Sequence, residues 1–596
     1  MASFTPTYDW QPGNVGAQVA YYIHLFQQCR IRRSGGFDGQ WEEAAALCWP
    51  EYRNTFSQGH LNAPGLKRTQ YQLDSAAAIA SHRFMAIVNY VMTPHDRMWS
   101  VLVPSDENLL KDKDTKAWFT NQTRKLWKAR YDPMANFSGQ NMQNLQGLGV
   151  FGNHGMLIQE RAGKQGGLAY RSCSVGEIYI LQNFQGIVTG YIRIFKLDAQ
   201  QAYGQFGESI PPVLRAALEQ NSKTLYNFIQ VVHPRTDWMP WEILSPRGKE
   251  YLSAYISVEG YCMLEAESGY RCKPLAYGRY MQAPEEEYGR GPAQMTLPAL
   301  KTRNAMKGDL LKTSHDIGNP ELFIGDDGML DPQFQNGAIN YGGFSPEGKF
   351  LVAKAPHGEL PAIETAMASE QQFVDDAFLV SLYADLFDEA KAGGAQRSAR
   401  EVLERIMNRG IFLSPLGRQY TEYTGPMIDR EMDILSSQGK IDPMTPAMKE
   451  AGGEYDIKYR SILGRAAQSD EAAATAQFLE FVEQMAQSTG DPSVMDAIEI
   501  NEALGVIADA GGVPDKVLAS MESRQKKQKA RAAAQERDQQ VKELPGRAAM
   551  AKAQAIQAKA QTGGNIGGTL SGTPQGGMPM MPGQSQPGGR RFGQPG

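Results

Sequence analysis

Between Glu285 and Arg397 the chain reads as helix, short irregular insert, helix and glycine break, and this order constrains the fold more than any other stretch. The first segment is EEEYGRGPAQMTLPALKTRNAMKGDLLKTSHDIG, residues 285–318. Pro292 suits a first helical turn, where its missing N–H would have no partner anyway. Pro298 lies further in and would cost an i→i−4 bond, so the regular helix is expected to begin there. Leu300, Leu310, Leu311 and Ile317 form a weak apolar stripe. Lys301, Arg303, Lys307 and Lys312 outnumber Asp309 and Asp316, so this helix is basic.

Residues 319–362 hold PELFIGDDGML, NGAINYGG, the alternating KFLVAKA and prolines 320, 332, 346, 356 and 361. That is turn chemistry around two or three short strands, a small α/β or β module. Residues 363–391, IETAMASEQQFVDDAFLVSLYADLFDEAK, contain neither Gly nor Pro. Phe373, Ala377, Val380, Ala384 and Phe387 recur at spacings of four and three, widened by Val374, Phe378 and Leu382. Glu364, Glu370, Asp375, Asp376, Asp385, Asp388 and Glu389 make this second helix acidic. At ~1.5 Å per residue it would be roughly 40 Å long. Two readings follow. The pair is an ordinary helical hairpin with its charges on a solvated face, or one stave of a ring in which each basic helix meets a neighbour's acidic one.

The stretch Tyr288-Gly289-Arg290-Gly291-Pro292 ahead of a basic helix resembles the stem of podovirus-type phage portal proteins, the head-to-tail connectors of short-tailed phages. There a Tyr-Gly-Arg-x-Pro element precedes a stem helix, a clip and a second stem helix. Asp74-Ser75-Ala76-Ala77, Pro94 and Trp99 match a second element of that family, although core packing explains Trp99, Phe84 and Tyr90 equally well. The resemblance implies an α+β, mainly helical portal fold assembled as a ring. Its parts would be an N-terminal wing (1–284), first stem helix (285–318), clip (319–362), second stem helix (363–391) and tunnel loop (392–397). A long wing helix region (398–445) and a helical crown (446–522) would follow, then an Ala/Lys/Gln-rich stretch (523–561), an extended or fraying helix on its own and a barrel-like extension if bundled around an axis. Residues 562–596, rich in Gly, Pro, Gln and Met, read as a disordered tail that cannot offset its ordering entropy.

Elsewhere, VGAQVAYYIHLFQQCRIRR and residues 66–104 give helical patterns, the second capped by Asp74 or Ser75 and ended by Thr93-Pro94. Residues 168–260 read as β-rich, with a helical insert at QAYGQFGESIPPVLRAALEQ. All eight tryptophans lie at or before Trp241, which points to a front domain with its own mixed core. A kink is expected near Ser414-Pro415, and residues 446–522 read as helical.

At 596 residues, three or four structural units are expected. A net charge of −5 excludes the global basic signature of a sequence-reading nucleic-acid binder. Five scattered cysteines fit neither a C-x-x-C metal site nor a secreted disulfide framework. MASFTPTYDW lacks the features of a signal peptide, and no run of about 18 apolar residues could span a membrane.

Gly147, Gly149 and Gly152 spell G-x-G-x-x-G, but a helical pattern precedes them and a strand-like one follows, the reverse of a dinucleotide loop. No G-x-x-x-x-G-K-[ST] is present, and His82, His95, His154, His233, His315 and His357 form no H-x-x-x-H pair. No catalytic residue, metal or cofactor is therefore expected. A nucleotide-binding enzyme and a helical virion or adaptor protein of another kind are the alternatives.

A pore that lets duplex DNA slide must avoid gripping phosphates, since each Lys or Arg contact adds salt-dependent binding. An acidic helix facing the axis would repel DNA. Lys391 and Arg397, with Gln396, flank or follow the flexible Gly393-Gly394 and are the candidates for transient contact. The candidate inter-subunit charges are Lys301, Arg303, Lys307 and Lys312 against Glu370, Asp375, Asp376 and Asp385. By the resemblance, the partners would be further copies of the chain in a dodecamer, the terminase large subunit, major capsid and scaffolding proteins, a tail adaptor protein, and dsDNA in transit. The place would be the portal vertex of the virion, and the host cytoplasm during assembly.

Overall fold

Capping and apolar spacing set the front helices. Helices α1 (Val15–Ser34) and α2 (Phe37–Cys48) precede a single turn, α3 (Thr55–Gln58), and the alanine-rich α4 (Ala76–Met92). Asp74 Oδ1 accepts from Ala76 N at 3.2 Å, so Asp74 rather than Ser75 supplies the cap. The chain leaves α4 at Thr93, where Pro94 disfavours further helix. Strand β1 (Ser100–Pro104), α5 (Lys113–Arg130) and α6 (Phe137–Phe151) follow. The computed structural model describes residues 15–58 and 69–320 with short gaps, then 322–324, 347, 352–354, 360–381, 410–460, 474–485 with one gap, and a few isolated positions beyond 500.

The sheets come next: β2 (Asn153–Glu160), β3 (Leu168–Cys173), β4 (Ile178–Gln182) and β5 (Val188–Leu197). The helical insert is α7 (Ala199–Phe206) and α8 (Pro212–Glu219), the former started by an Asp198–Gln201 capping box. Then follow β6 (Tyr226–Pro234), β7 (Tyr251–Ser257), β8 (Cys262–Met263), β9 (Ser268–Tyr270) and β10 (Leu275–Arg279). The largest sheet is antiparallel in the order β4-β5-β6-β7-β8, with β9 also on β7; a second has the order β10-β2-β3. Strand alternation divides the large sheet between two cores. Ile192, Val231 and Ile256 pack under α1, while Phe195 and Phe228 face Phe206 and Leu214 of α7–α8.

The segment expected to form a stem begins with one turn, α9 (Pro292–Met295), and α10 (Leu297–Gly318), where Pro298 sits in the first turn as expected. Strands β11 (Leu322–Ile324) and β12 (Val352–Lys354) pair antiparallel, and α11 (Leu360–Ala377) returns. Described positions from Met1 to Gly512 form one unit, and those from Val513 to Gly596 a second.

Four expectations need correction. The uninterrupted helix over 363–391 is not what forms: α11 starts at Leu360, ends at Ala377, and Phe378–Leu379 turn with Leu379 at φ 57. A left-handed non-glycine residue costs about 1–3 kcal/mol. The turn buries Phe378 edge-on against Phe84 at 6.1 Å, with Leu379 and Val380 beside it. Second, the helix passes through Pro415; the irregularity is instead a π turn at Tyr420–Thr424, between helices Gly410–Gln419 and Gly425–Ser437. Third, 446–522 is not wholly helical: after a helix at Pro446–Glu450, β13 (Tyr455–Tyr459) pairs antiparallel with β1, Leu102 opposite Ile457. Fourth, the front segment does not close a core of its own. Tyr423, Met427, Ile434 and Leu435 complete the cluster around Trp99 and Phe137, and Val374 and Phe378 complete that around Trp41 and Phe84.

Candidate functional site: the root and shaft of the stem

The glycine string and the Tyr-Gly-Arg-Gly-Pro element turn out to be two halves of one junction. Gly147 and Gly149 lie in the last turns of α6, and Gly152 is its left-handed cap at φ 68 before β2. A Cβ at Gly152 would lie 2.2 Å from Gly291 N; one at Gly291 would lie 2.6 Å from Gly152 N; one at Gly289 would lie 2.6 Å from Gly152 O. Only glycine allows this backbone approach. Asn153 clamps it, its Nδ2 donating to Gly289 O at 2.7 Å and its Oδ1 accepting from Gly289 N at 2.8 Å. Tyr288 is buried edge-on against Trp41 at 5.3 Å, and its hydroxyl accepts from Ile180 N at 3.3 Å. The junction fixes where the chain enters α9 and α10.

Along the shaft, Arg303 Nε pairs with Asp74 at 2.5 Å and its Nη1 donates to Met367 O at 2.9 Å. Asn304 Oδ1 accepts from Leu73 N and Asp74 N. Leu300, a turn before Arg303, shares a core with Val374 and Phe378, beyond Met367, so α10 and α11 run antiparallel. Lys301 pairs with Glu43 at 2.6 Å. Two of the four basic candidates are thus engaged within the chain. Lys307 is half-buried and Lys312 exposed; Glu370 is half-exposed and Asp376 exposed. Asp375 accepts from Gln371 Nε2 at 2.5 Å, and partial burial pushes its pKa up despite Arg83 and Arg303 nearby. Asp385, Lys391, Gly393, Gly394, Gln396 and Arg397 lie outside the described residues.

A buried polar network holds the 410–437 segment against the body. The π turn brings Glu422 to Arg279, whose Nη2 donates to it at 2.6 Å and to Gly186 O at 3.0 Å. Arg418 Nε also donates to Glu422, at 2.7 Å. His154 Nε2 meets Gln419 Oε1 at 2.8 Å, and Gln419 Nε2 donates to Arg279 O at 2.7 Å. Burial pushes the His154 pKa down to about 4. Further along, Arg130 and Glu431, 1% and 0% exposed, pair at 2.6 Å. Glu431 accepts from Tyr170 Oη at 2.5 Å, Arg130 donates to Ser100 Oγ at 3.2 Å, and the guanidinium lies over Trp99 at 4.4 Å. Sequence reasoning missed this network. Its only signal is charged residues inside otherwise apolar runs, Arg279 in LAYGRYM and Asp429-Arg430-Glu431 in GPMIDREMDIL.

Beside Arg279, a cavity of about 960 Å³ lies between the β4–β5 hairpin, Gln282–Glu286 and Arg418–Glu422. Among the described residues there is no cluster of metal-binding side chains, and no helix is long and apolar enough to cross a membrane.

The described residues thus form interleaved cores joined at a glycine-locked junction to an antiparallel helix pair. A model of the bacteriophage head to tail connecting protein family matches residues 21–518, most of the chain, and the protein belongs to that family. It is a phage connector component, associated with head and tail. No curated protein matches it.

Proposed function

We propose that this chain is the portal protein of a short-tailed phage, forming a ring, dodecameric in the family it resembles, at one capsid vertex. DNA would pass inward through it during packaging and outward at ejection. The ring would nucleate head assembly with scaffolding and major capsid proteins, dock the terminase large subunit, and later hold a tail adaptor. Assembly would begin in the host cytoplasm. The observation that carries this reading is the agreement of the family match over 21–518 with a two-helix stem, α10 and α11, joined through the β11–β12 ladder. The acidic residues of the second stem segment fit a lining that repels phosphate. The packed junction at Gly147, Gly149 and Gly152 gives those glycines a use without a nucleotide.

Negative-stain images of the purified protein test the ring: annular particles with a central hole are expected, and isolated globules overturn the reading. A second measurement addresses chemistry. No thermal shift is expected with ATP or NAD, whereas a saturating ligand would stabilise by ~2–4 kcal/mol and reveal a nucleotide site.

A further inference from the structure

The β4–β5 hairpin presents an aromatic side chain to solvent on a fixed support. Phe184 is 96% exposed and Ile187 53%. The loop beneath them is ordered by Asn183, whose Oδ1 accepts from Gln185 N at 3.0 Å and from Ile187 N at 2.9 Å. Gly186, at φ 77, closes the turn, and its carbonyl is held by Arg279. A large apolar side chain on a preorganised loop is the form of an interface anchor, because little freedom is lost when it docks.

A receptor of matching character lies elsewhere on the same unit. A cavity of about 660 Å³ opens between α5 and the end of the Gly425–Ser437 helix. Its walls include Leu126, Tyr131, Pro133, Met432, Leu435 and Ile441. Exposed Lys128 also borders it and has no ion-pair partner among the described residues. Beside the hairpin, on the 282–286 turn, Glu285 is exposed and likewise has no ion-pair partner among them. An apolar anchor beside an acidic residue thus has a counterpart in an apolar cavity bordered by a lysine.

The hairpin of one chain cannot fill its own cavity. Its loop is tied through Arg279 to Glu422 in the π turn, while Met432 and Leu435 stand ten to thirteen residues further along, in the helix that follows, about 15–20 Å away at ~1.5 Å per residue. Resting on the ring reading above, we propose that Phe184 and Ile187 of one copy seat in this cavity of a second copy, with Glu285 facing Lys128. Because anchor and receptor are different surfaces, the contact is head-to-tail, the kind that propagates around a ring.

The test uses the full chain with the photo-crosslinking amino acid p-benzoylphenylalanine at position 184. Irradiated rings assembled from mixed light and heavy isotope-labelled subunits should give covalent ladders. The mixed-isotope crosslinks should map to peptides spanning 122–133 or 432–441. Phe184→Ser should raise the concentration at which rings dissociate by on the order of tenfold. Glu285→Lys and Lys128→Glu should each weaken rings, and the double exchange should restore them. If the wild-type chain forms no rings, the ring reading falls and this contact with it. If rings form but crosslinks are absent, or map elsewhere, the ring reading stands and this contact is wrong.

Discussion

Among the described residues, Glu431 and Arg130 each have their charge compensated by the other and by neutral donors and acceptors, in a buried site. Removing one partner of such a pair leaves an uncompensated buried charge. Glu431→Gln should therefore cost about 3–5 kcal/mol, read as a lowered denaturant midpoint. A change within a few tenths of a kcal/mol would mean that water reaches Arg130. His154 gives a pH dependence of definite sign. Its pKa is lowered by burial from an ordinary 6.5 to about 4, so between these values the unfolded chain binds a proton that the folded chain refuses. The stability it contributes is full above about pH 6.5 and is lost as pH falls towards 4, by roughly 3 kcal/mol in all. Asp38 and Asp429, raised by burial, work in the opposite direction over the acid range. A comparison with His154→Gln isolates the histidine: stability from pH 7 to 4.5 should fall less in the variant than in the parent, and parallel profiles would exclude this role.

At the scale of elements, the shaft separates two uses of charge that look alike in the sequence. Arg303 ties α10 to Asp74 and to the carbonyl of Met367, so Arg303→Glu should unfold the isolated chain more easily, by about 1.5–3 kcal/mol for charge-assisted bonds. Lys307→Glu and Lys312→Glu should leave that stability within about 0.5 kcal/mol and act, if on anything, on assembly. Thermal unfolding beside sedimentation of each variant checks this, and equal loss of stability for all three would remove the distinction. The start of α10 with Pro298 in its first turn, the end of α4 before Pro94 and the β-rich run from Leu168 were legible because prolines, caps and alternation act locally. The break at Leu379 was not: nothing in DDAFLVSLY departs from helical spacing, and the turn exists because Phe378 reaches Phe84, almost three hundred residues earlier. Strand β13 escaped for the same reason, since YDIKY is too short to declare itself and its partner β1 lies some three hundred and fifty residues away. The glycines were legible as a motif but not as a junction. Only the fold brings Gly152 against Gly291.

For the whole molecule, the decisive segment is 390–397, which lies outside the described residues. On the portal reading proposed above, the end of the second stem segment would face the channel, and Gly393-Gly394 with Lys391 and Arg397 would be the contact to DNA in transit. Duplex DNA has a helical symmetry that a ring does not share, so each loop must meet the strand at a different height. Glycine supplies that freedom by admitting backbone conformations that alanine avoids. Replacing both glycines by alanine favours helix by roughly 1 kcal/mol at each position and should stiffen the loop into a continuation of its neighbours. On that reading head assembly would use surfaces outside the channel, so Gly393→Ala/Gly394→Ala rings and empty procapsids should form in normal number. The defect should fall on the DNA-filled fraction, visible as a shift from full to empty heads in a density gradient. A normal yield of filled heads would leave this segment an ordinary linker, with the sliding contact to be sought elsewhere along the channel.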